Sequence, residues 1–162
     1  MAKQKEEKTN VMRILEQKQI AYTPHTYEHE EGVAVDGVTV ARSLGQDPEQ
    51  VFKTLVARGV GKSIYVFVIP VAENLDLKKA ARAVGEKSIE MIHVKEINAL
   101  TGYVRGGCSP VGMKKQYPTV FHETVQIVDT MMVSAGKIGF QVELAPDDLI
   151  KLVGAEVADL VV

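Results

Sequence analysis

Residues 51–71 read VFKTLVARGVGKSIYVFVIPV, and this stretch decides the fold because it holds two strand-length runs separated by a turn. Side chains of the first run alternate with a period of two, so that Lys53 shares one face with Leu55. The second run, 64–71, is almost wholly apolar, and glycine punctuates the segment 59–63 between the runs. The stretch therefore predicts a β-hairpin.

Helices and strands are predicted on both sides of this hairpin. Capping residues and apolar spacing indicate helices that follow Thr9 and Asp76, cover 38–44 and 95–100, and begin at Pro146. Further strands are predicted over 20–27, 88–92, 119–122, 125–133 and 139–144, with loops over 28–32 and 103–115. Because strands and helices do not alternate strictly, we expect an α+β fold around a mixed, barrel-like sheet.

Composition limits the class of protein. The chain has 162 residues, enough for one domain spanning 1–162 with a sizeable core. With 46% apolar and 25% charged residues, it is expected to be neither disordered nor a membrane protein. The charged start, 1–8, lacks the apolar stretch of a signal peptide, and the single cysteine, Cys108, fits a reducing compartment. We therefore expect a cytoplasmic protein.

The net charge of −2 argues against general binding of nucleic-acid duplexes through a basic surface. A nucleic-acid partner would have to meet a local patch or be presented by another protein.

Two patterns resemble ligand sites, but the neighbouring residues argue against both. The run 61–63, Gly-Lys-Ser, matches the end of a phosphate-binding loop, but that loop requires a glycine where the chain has Val56. We expect a hairpin turn there instead. His25 and His29 have the spacing of helical metal ligands, yet Pro24 argues against a helix. No metal site is expected.

Two possible nucleophiles also lack their usual surroundings. Cys108 and the four histidines formally permit a Cys-His pair, but no protease signature surrounds the cysteine. Ser109 lies in 107–111, which misses the final glycine of a nucleophile elbow. We expect Cys108 to be a partly buried small residue and the Ser109 hydroxyl to bind a ligand rather than attack it.

Lys53 has two interpretations. If its face points inward, an ammonium group lies among apolar side chains, which costs several kcal/mol unless a partner or ligand offsets it. If the face points outward, Lys53 is an ordinary solvated lysine. The apolar run 64–71 favours a buried hairpin and a functional lysine.

A long glycine-rich loop is the second candidate. Residues 102–112 read GYVRGGCSPVG. The paired Gly106 and Gly107 allow the backbone to approach a ligand and aim N–H groups at an oxyanion, and Pro110 stiffens the exit. Arg105 and neighbouring lysines suit a phosphate-bearing ligand such as the end of a tRNA. A plain connection between strands is the alternative.

Three motifs in this order resemble the YbaK/EbsC family of bacterial aminoacyl-tRNA deacylases. They are FKTL at 52–55, LDLKKAA at 75–81 and the loop at 102–112, and VSAGK at 133–137 and VELAP at 142–146 extend the resemblance over nearly the whole chain. The family is typified by the Cys-tRNA(Pro) deacylase and is related to the editing domain of bacterial prolyl-tRNA synthetases. The resemblance implies a mixed, barrel-like sheet surrounded by helices.

The resemblance also implies an activity: removal of mischarged cysteine from Cys-tRNA(Pro), and also from Cys-tRNA(Cys). In this family the thiol of the substrate is thought to attack its own ester, so the enzyme acts by positioning and charge stabilisation. Lys53 would hold the terminal adenosine or its phosphate, and the N–H groups of Gly106 and Gly107 would polarise the carbonyl. The implied partners are aminoacyl-tRNA and prolyl-tRNA synthetase, with no cofactor, metal or membrane.

The resemblance and the positions along the chain assign further substrate-binding residues. These are Tyr27, Thr54, Ser109, Pro110, Ser134 and Gly136. Many relatives carry an aromatic residue before the glycine that aligns with Gly37, whereas this chain has Asp36. Two alternatives stay open: a non-catalytic module that binds a tRNA end or a nucleotide, and a deacylase for another small amino acid such as alanine, which would need a bound water.

Overall fold

Residues 8–162 are described by a computed structural model of the chain, so the charged start at 1–8 lies outside the described residues except for Lys8. The helices are α1 (Asn10–Gln17), α2 (Gly37–Ser43), α3 (Leu77–Val84), α4 (Ile97–Thr101) and α5 (Pro146–Val153). The strands are β1 (Thr23–Thr26), β2 (Phe52–Gly59), β3 (Ile64–Pro70), β4 (Ile89–Met91), β5 (Thr119–His122), β6 (Met131–Ser134), β7 (Phe140–Leu144) and β8 (Glu156–Ala158). In the described part of the chain, no helix has the length and apolar character to cross a membrane.

The strands form two sheets. One has the order β1-β7-β6 and the other the order β4-β2-β3-β5-β8. The pairs β3–β5 and β5–β8 are parallel and the other pairs are antiparallel, so the larger sheet is mixed, as predicted. Within residues 8–162, one bridge, between Val51 and Met132, connects the two sheets. The α+β prediction is confirmed, but the expected barrel-like sheet is instead two connected sheets that do not close.

The predicted hairpin is formed by β2 and β3, and both of its faces are covered. Phe52 packs in one cluster, which includes Val68 from the partner strand. Ala57 packs in a second cluster on the opposite face, together with Phe67 and Ile69. In the β2–β3 register, Lys53 lies opposite Ile69, which is completely buried. Lys53 therefore belongs to a covered face, which favours the first of its two interpretations.

Most helix boundaries follow the predicted caps. The Thr9 hydroxyl accepts a hydrogen bond from the Met12 N–H at 3.3 Å, and the Asp76 carboxylate caps α3. Gly85 ends α3 in the left-handed conformation, which glycine adopts without strain.

One strand prediction was wrong and one strand was missed. The strand predicted over 125–133 starts only at Met131, because Glu123–Gln126 is a 3-10 helix. Its apolar alternation was misleading, since Ile127 is 81% exposed and packs in no core. The three-residue strand β8 was not predicted, because it is too short to show a period.

Candidate functional site

A cavity of about 420 Å³ lies where the two sheets approach each other. Its wall takes residues 52–56 from β2 of the larger sheet, Ser134 from β6 and Gln141 from β7 of the smaller sheet. Helix α2, the segment 91–97 and the glycine-rich loop complete the wall. Pockets of this size accommodate a small-molecule ligand with few polar contacts.

Lys53 lines this cavity and is half-buried. Within residues 8–162, its ammonium group has neither a hydrogen bond nor an ion pair. Burial lowers the pKa of Lys53, while the negative charges of Asp36 and Glu73 act in the opposite direction and favour the charged form. A half-buried cation without a direct partner is suited to bind an anionic or polar ligand.

Thr54, the next residue of β2, also lines the cavity. Its hydroxyl oxygen is buried and has no hydrogen-bond partner among the described residues. Buried polar atoms are almost always paired in folded proteins, so an unpaired hydroxyl at a cavity wall points to a ligand as its partner.

Ser134 and Gln141 are opposite each other in the β6–β7 pairing, and both line the cavity. Residues opposite each other in an antiparallel pair have side chains on the same face. Gln141 is only 4% exposed, and its Oε1 accepts a hydrogen bond from Gln46 Nε2 at 2.8 Å. Gln141 was not predicted, because its position in the cavity depends on a strand register that no local motif reports.

Gly106 reaches the cavity from the glycine-rich loop. Its φ is +85°, and a Cβ there would lie 2.7 Å from the Cβ of Ala34, so only glycine fits. The N–H of Gly107 donates to the Val104 carbonyl at 2.9 Å and closes the turn. The Gly107 N–H that was expected to contact substrate is therefore engaged within the loop.

The structure brings five of the predicted site residues together around the cavity and leaves the other four off its wall. Tyr27, Lys53, Thr54, Gly106 and Ser134 line the cavity. Gly107, Ser109, Pro110 and Gly136 do not line it. The Ser109 hydroxyl accepts a hydrogen bond from the Val111 N–H at 3.3 Å, and a Cβ on Gly136 would lie 2.9 Å from the Tyr103 ring.

Cys108 lines the cavity but lacks the character of a nucleophile. Burial raises the pKa of its thiol to about 11. The thiolate is the reactive form of cysteine, so at neutral pH this thiol stays protonated and weakly reactive. Burial of the Cys108 thiol and its raised pKa therefore support the interpretation of Cys108 as a partly buried small residue rather than a nucleophile.

The two histidines that suggested a metal site have other partners. His25 Nε2 lies 2.7 Å from Glu143 Oε1, and the ring of His29 packs edge-on against Tyr27. The Gly-Lys-Ser run at 61–63 belongs to the hairpin turn, as predicted.

One group of described residues, away from the cavity, could approach a metal ion: His122, Glu123 and Asp159. However, His122 Nδ1 accepts the Leu160 N–H at 3.1 Å, and Asp159 pairs with Lys79 at 2.8 Å. Two of the three side chains, His122 and Asp159, therefore already have partners.

Comparisons with known proteins agree on one family. The sequence profile of the aminoacyl-tRNA editing domain matches residues 32–152. A protein of Enterococcus faecalis (strain ATCC 700802 / V583), named as the Cys-tRNA(Pro)/Cys-tRNA(Cys) deacylase EbsC, is 45% identical over 161 residues, covering 99% of this chain and 98% of its own length.

Solved structures share the fold. A crystal structure described as a trans-editing enzyme for prolyl-tRNA synthetase superposes with a TM-score of 0.79 at 26% identity, covering 94% of each chain. A protein without an assigned function superposes with a TM-score of 0.83 at 22% identity, covering 94% of this chain and 99% of its own.

Proposed function

Because the chain belongs to the aminoacyl-tRNA editing domain family, we propose that it is a trans-acting deacylase that removes mischarged cysteine from Cys-tRNA(Pro), and also from Cys-tRNA(Cys). The observation that carries this proposal is the unpaired, half-buried ammonium of Lys53 in a cavity at the junction of the sheets. The 45% identical relative bears the name of a deacylase for these two substrates. Editing is needed because small size differences between amino acids give a synthetase only about 1–3 kcal/mol of discrimination.

The proposed reaction uses the thiol of the substrate. The cysteinyl sulfur bonds to the ester carbonyl carbon, and the bond from that carbon to the ribose oxygen breaks. The thiol proton is transferred to the ribose oxygen, so the products are a cyclic thiolactone and a tRNA with a free 3′ end. No protein nucleophile is required, which is consistent with the raised pKa of Cys108.

The cavity residues then bind and orient the substrate. Lys53 binds the terminal adenosine or its phosphate, and the unpaired Thr54 hydroxyl contacts the cysteinyl ester. The Gly106 N–H, which has no hydrogen-bond partner within residues 8–162, polarises the ester carbonyl. Gly107 holds that N–H in place through its own bond to Val104. Tyr27 and Ser134 complete the binding surface, supported from behind by Ser109, Pro110 and Gly136.

The substrate is aminoacyl-tRNA, and we propose that prolyl-tRNA synthetase presents it. The net charge of −2 gives the chain little general attraction for nucleic acid. A structural relative described as a trans-editing enzyme for that synthetase supports the same partner. A cytoplasmic location, where tRNAs are charged, is part of this proposal.

The test is the release of labelled cysteine from Cys-tRNA(Pro) by the wild type and by Lys53→Ala. We expect the rate to fall about 100-fold or more in the variant, the range seen when a preorganised electrostatic group is removed. Lys78→Ala is the matched control, because Lys78 is an exposed lysine of α3 that does not line the cavity. Its rate is expected to equal that of the wild type.

Three results would contradict the proposal in different ways. Equal rates for the wild type and Lys53→Ala would remove Lys53 from the site. Clearance of Ala-tRNA(Pro) with Cys-tRNA(Pro) left intact would exclude the thiol route in favour of an activated water. Inertness towards both substrates, even with prolyl-tRNA synthetase present, would indicate a non-catalytic binding module.

A further inference from the structure

The mouth of the cavity carries an apolar surface that the proposed chemistry does not use. We define the mouth as the four lining residues that are exposed: Met91, Val94, Arg105 and Gly106. Met91 is 40% exposed and Val94 is 55% exposed. Exposed apolar side chains that continue into a ligand cavity indicate contact with part of the ligand.

The segment that carries Met91 and Val94 is fixed to the larger sheet. Strand β4 pairs with β2, and the Ile92 N–H donates to the Val56 carbonyl at 3.2 Å. Glu96 accepts the His93 N–H at 3.0 Å and pairs with Arg58 of β2 at 3.1 Å. The apolar surface is therefore preorganised, which lowers the entropic cost of binding a ligand on it.

The charge of the cavity suits an anionic ligand. Among the described residues that line it, Lys53 and Arg105 are the only basic side chains, and no carboxylate is present. Within residues 8–162, Arg105 forms no ion pair. A guanidinium that is exposed at the mouth can bind a phosphate through two parallel N–H bonds.

The size of the cavity also exceeds the needs of an amino acid. A volume of about 420 Å³ falls in the range of pockets that hold a drug-sized ligand. A cysteinyl group would fill only a fraction of it, whereas a cysteinyl group joined to a nucleoside is of that size.

We propose that Met91 and Val94 form the platform against which the terminal adenine base of the aminoacyl-tRNA packs, and that Arg105 binds the phosphate on the 5′ side of that nucleoside. This inference rests on the proposed deacylase function and adds the site of the terminal nucleotide. Bases pack well on apolar side chains, and such a contact requires no hydrogen-bond donor to read the base. The ester carbonyl then lies at the Gly106 N–H, the cysteinyl group lies deeper, next to Thr54 and Gln141, and Lys53 binds the ribose or phosphate of the same nucleoside.

The test compares two substrates: Cys-tRNA(Pro), and 3′-O-cysteinyl-adenosine, which has the base but no phosphate. We expect the double variant Met91→Ala/Val94→Ala to raise KM about tenfold for both substrates, with kcat within about twofold of wild type. Arg105→Ala is expected to raise KM about tenfold for Cys-tRNA(Pro) alone. The matched controls are Ile127→Ala and Arg82→Ala, which alter exposed residues outside the cavity and should change neither KM.

The outcomes separate this inference from the proposed function. Unchanged KM values in both cavity variants, with an active wild type, would overturn the platform but leave the deacylase in place. A rise in KM that appears only when prolyl-tRNA synthetase is present would also overturn it and make the mouth a protein interface. A wild type that cleaves neither substrate would refute the deacylase itself, and the platform with it.

Discussion

At the scale of single residues, the charge of Lys53 depends on two opposing effects. Burial lowers its pKa, and the negative charge of Asp36, followed by that of Glu73, raises it. Asp36 is also the N-cap of α2, where its carboxylate accepts the Thr39 N–H at 3.2 Å. The residue that departs from the aromatic pattern of many relatives therefore both begins a helix and helps to keep Lys53 charged.

We predict that Asp36→Asn shifts the alkaline limb of the pH–rate profile to lower pH. Asparagine is as good an N-cap as aspartate, so α2 is retained while the negative charge is lost. Without that charge the pKa of Lys53 falls further, and Lys53 deprotonates at a lower pH than in the wild type. The measurement is kcat/KM for deacylation from neutral to alkaline pH, corrected for spontaneous ester hydrolysis.

The matched control for this shift is Asp47→Asn. Asp47 caps the 3-10 helix Pro48–Gln50 and does not influence the pKa of Lys53. Replacing it with asparagine therefore changes the net charge by the same amount but should not shift the alkaline limb of the pH–rate profile. A limb that moves by the same amount in both variants, or moves to higher pH in Asp36→Asn, would contradict the prediction.

We predict that Cys108→Ser keeps deacylation within about threefold of wild type. Burial raises the pKa of the Cys108 thiol to about 11, so the thiolate is scarce at neutral pH and no step of the proposed reaction requires it. Single-turnover kinetics on Cys-tRNA(Pro) measure the effect. A loss as large as that of Lys53→Ala, in a variant that unfolds at the same temperature as wild type, would instead make Cys108 part of the chemistry.

At the scale of elements, the glycine-rich loop is held against the neighbouring segment 32–36. We predict that Gly106→Ala lowers the rate of deacylation about 100-fold. The added Cβ would lie 2.7 Å from the Cβ of Ala34, so the loop must move. A displacement of about 1 Å in an active site can reduce the rate about 100-fold. Its thermal midpoint should fall by only a few degrees, because alanine at φ +85° costs about 1–2 kcal/mol. Adding Ala34→Gly to the variant removes the nearest contact and should restore part of the rate.

The variant Gly32→Ala distinguishes the effect of the contact with Ala34 on the rate from the effect of backbone strain. Gly32 also has a positive φ, +72°, but an added Cβ would meet nothing within 4 Å. Alanine there causes the same kind of strain without a clash, so the rate should stay near that of wild type. If Gly32→Ala and Gly106→Ala lost activity equally, strain rather than the contact with Ala34 would be responsible.

The elements also show how far the sequence could predict the structure. The β2–β3 hairpin and the caps at Thr9 and Asp76 are local patterns, and the structure confirms them. The strand predicted over 125–133 was wrong at its start because Ile127 continues an apolar pattern while lying in solvent.

The candidate site was predictable only where local sequence determines it. Lys53 and Gly106 stand out in their own segments. Gln141 and Met91, in contrast, reach the cavity through the pairing of β7 with β6 and of β4 with β2. Neither pairing has a local signal, so these two lining residues became visible only in three dimensions.

At the scale of the whole molecule, the cavity depends on both sheets. Lys53 comes from the larger sheet and Ser134 from the smaller, and the Val51–Met132 bridge is the strand contact that connects them. The cavity is therefore lined from two open sheets rather than enclosed by one closed barrel.

The same molecule has little charge with which to hold a whole tRNA. If Lys53 and Arg105 supply the phosphate contacts, two contacts to single-stranded ends give a slope of roughly −1.4 for log affinity against log salt. We predict this shallow slope for the chain alone, and a fall in KM for Cys-tRNA(Pro), with kcat unchanged, when prolyl-tRNA synthetase is added. Initial rates at several salt concentrations, with serum albumin replacing the synthetase as control, measure both. A steep slope, as for a protein with six or more phosphate contacts, or a KM indifferent to the synthetase would mean that this chain binds tRNA unaided.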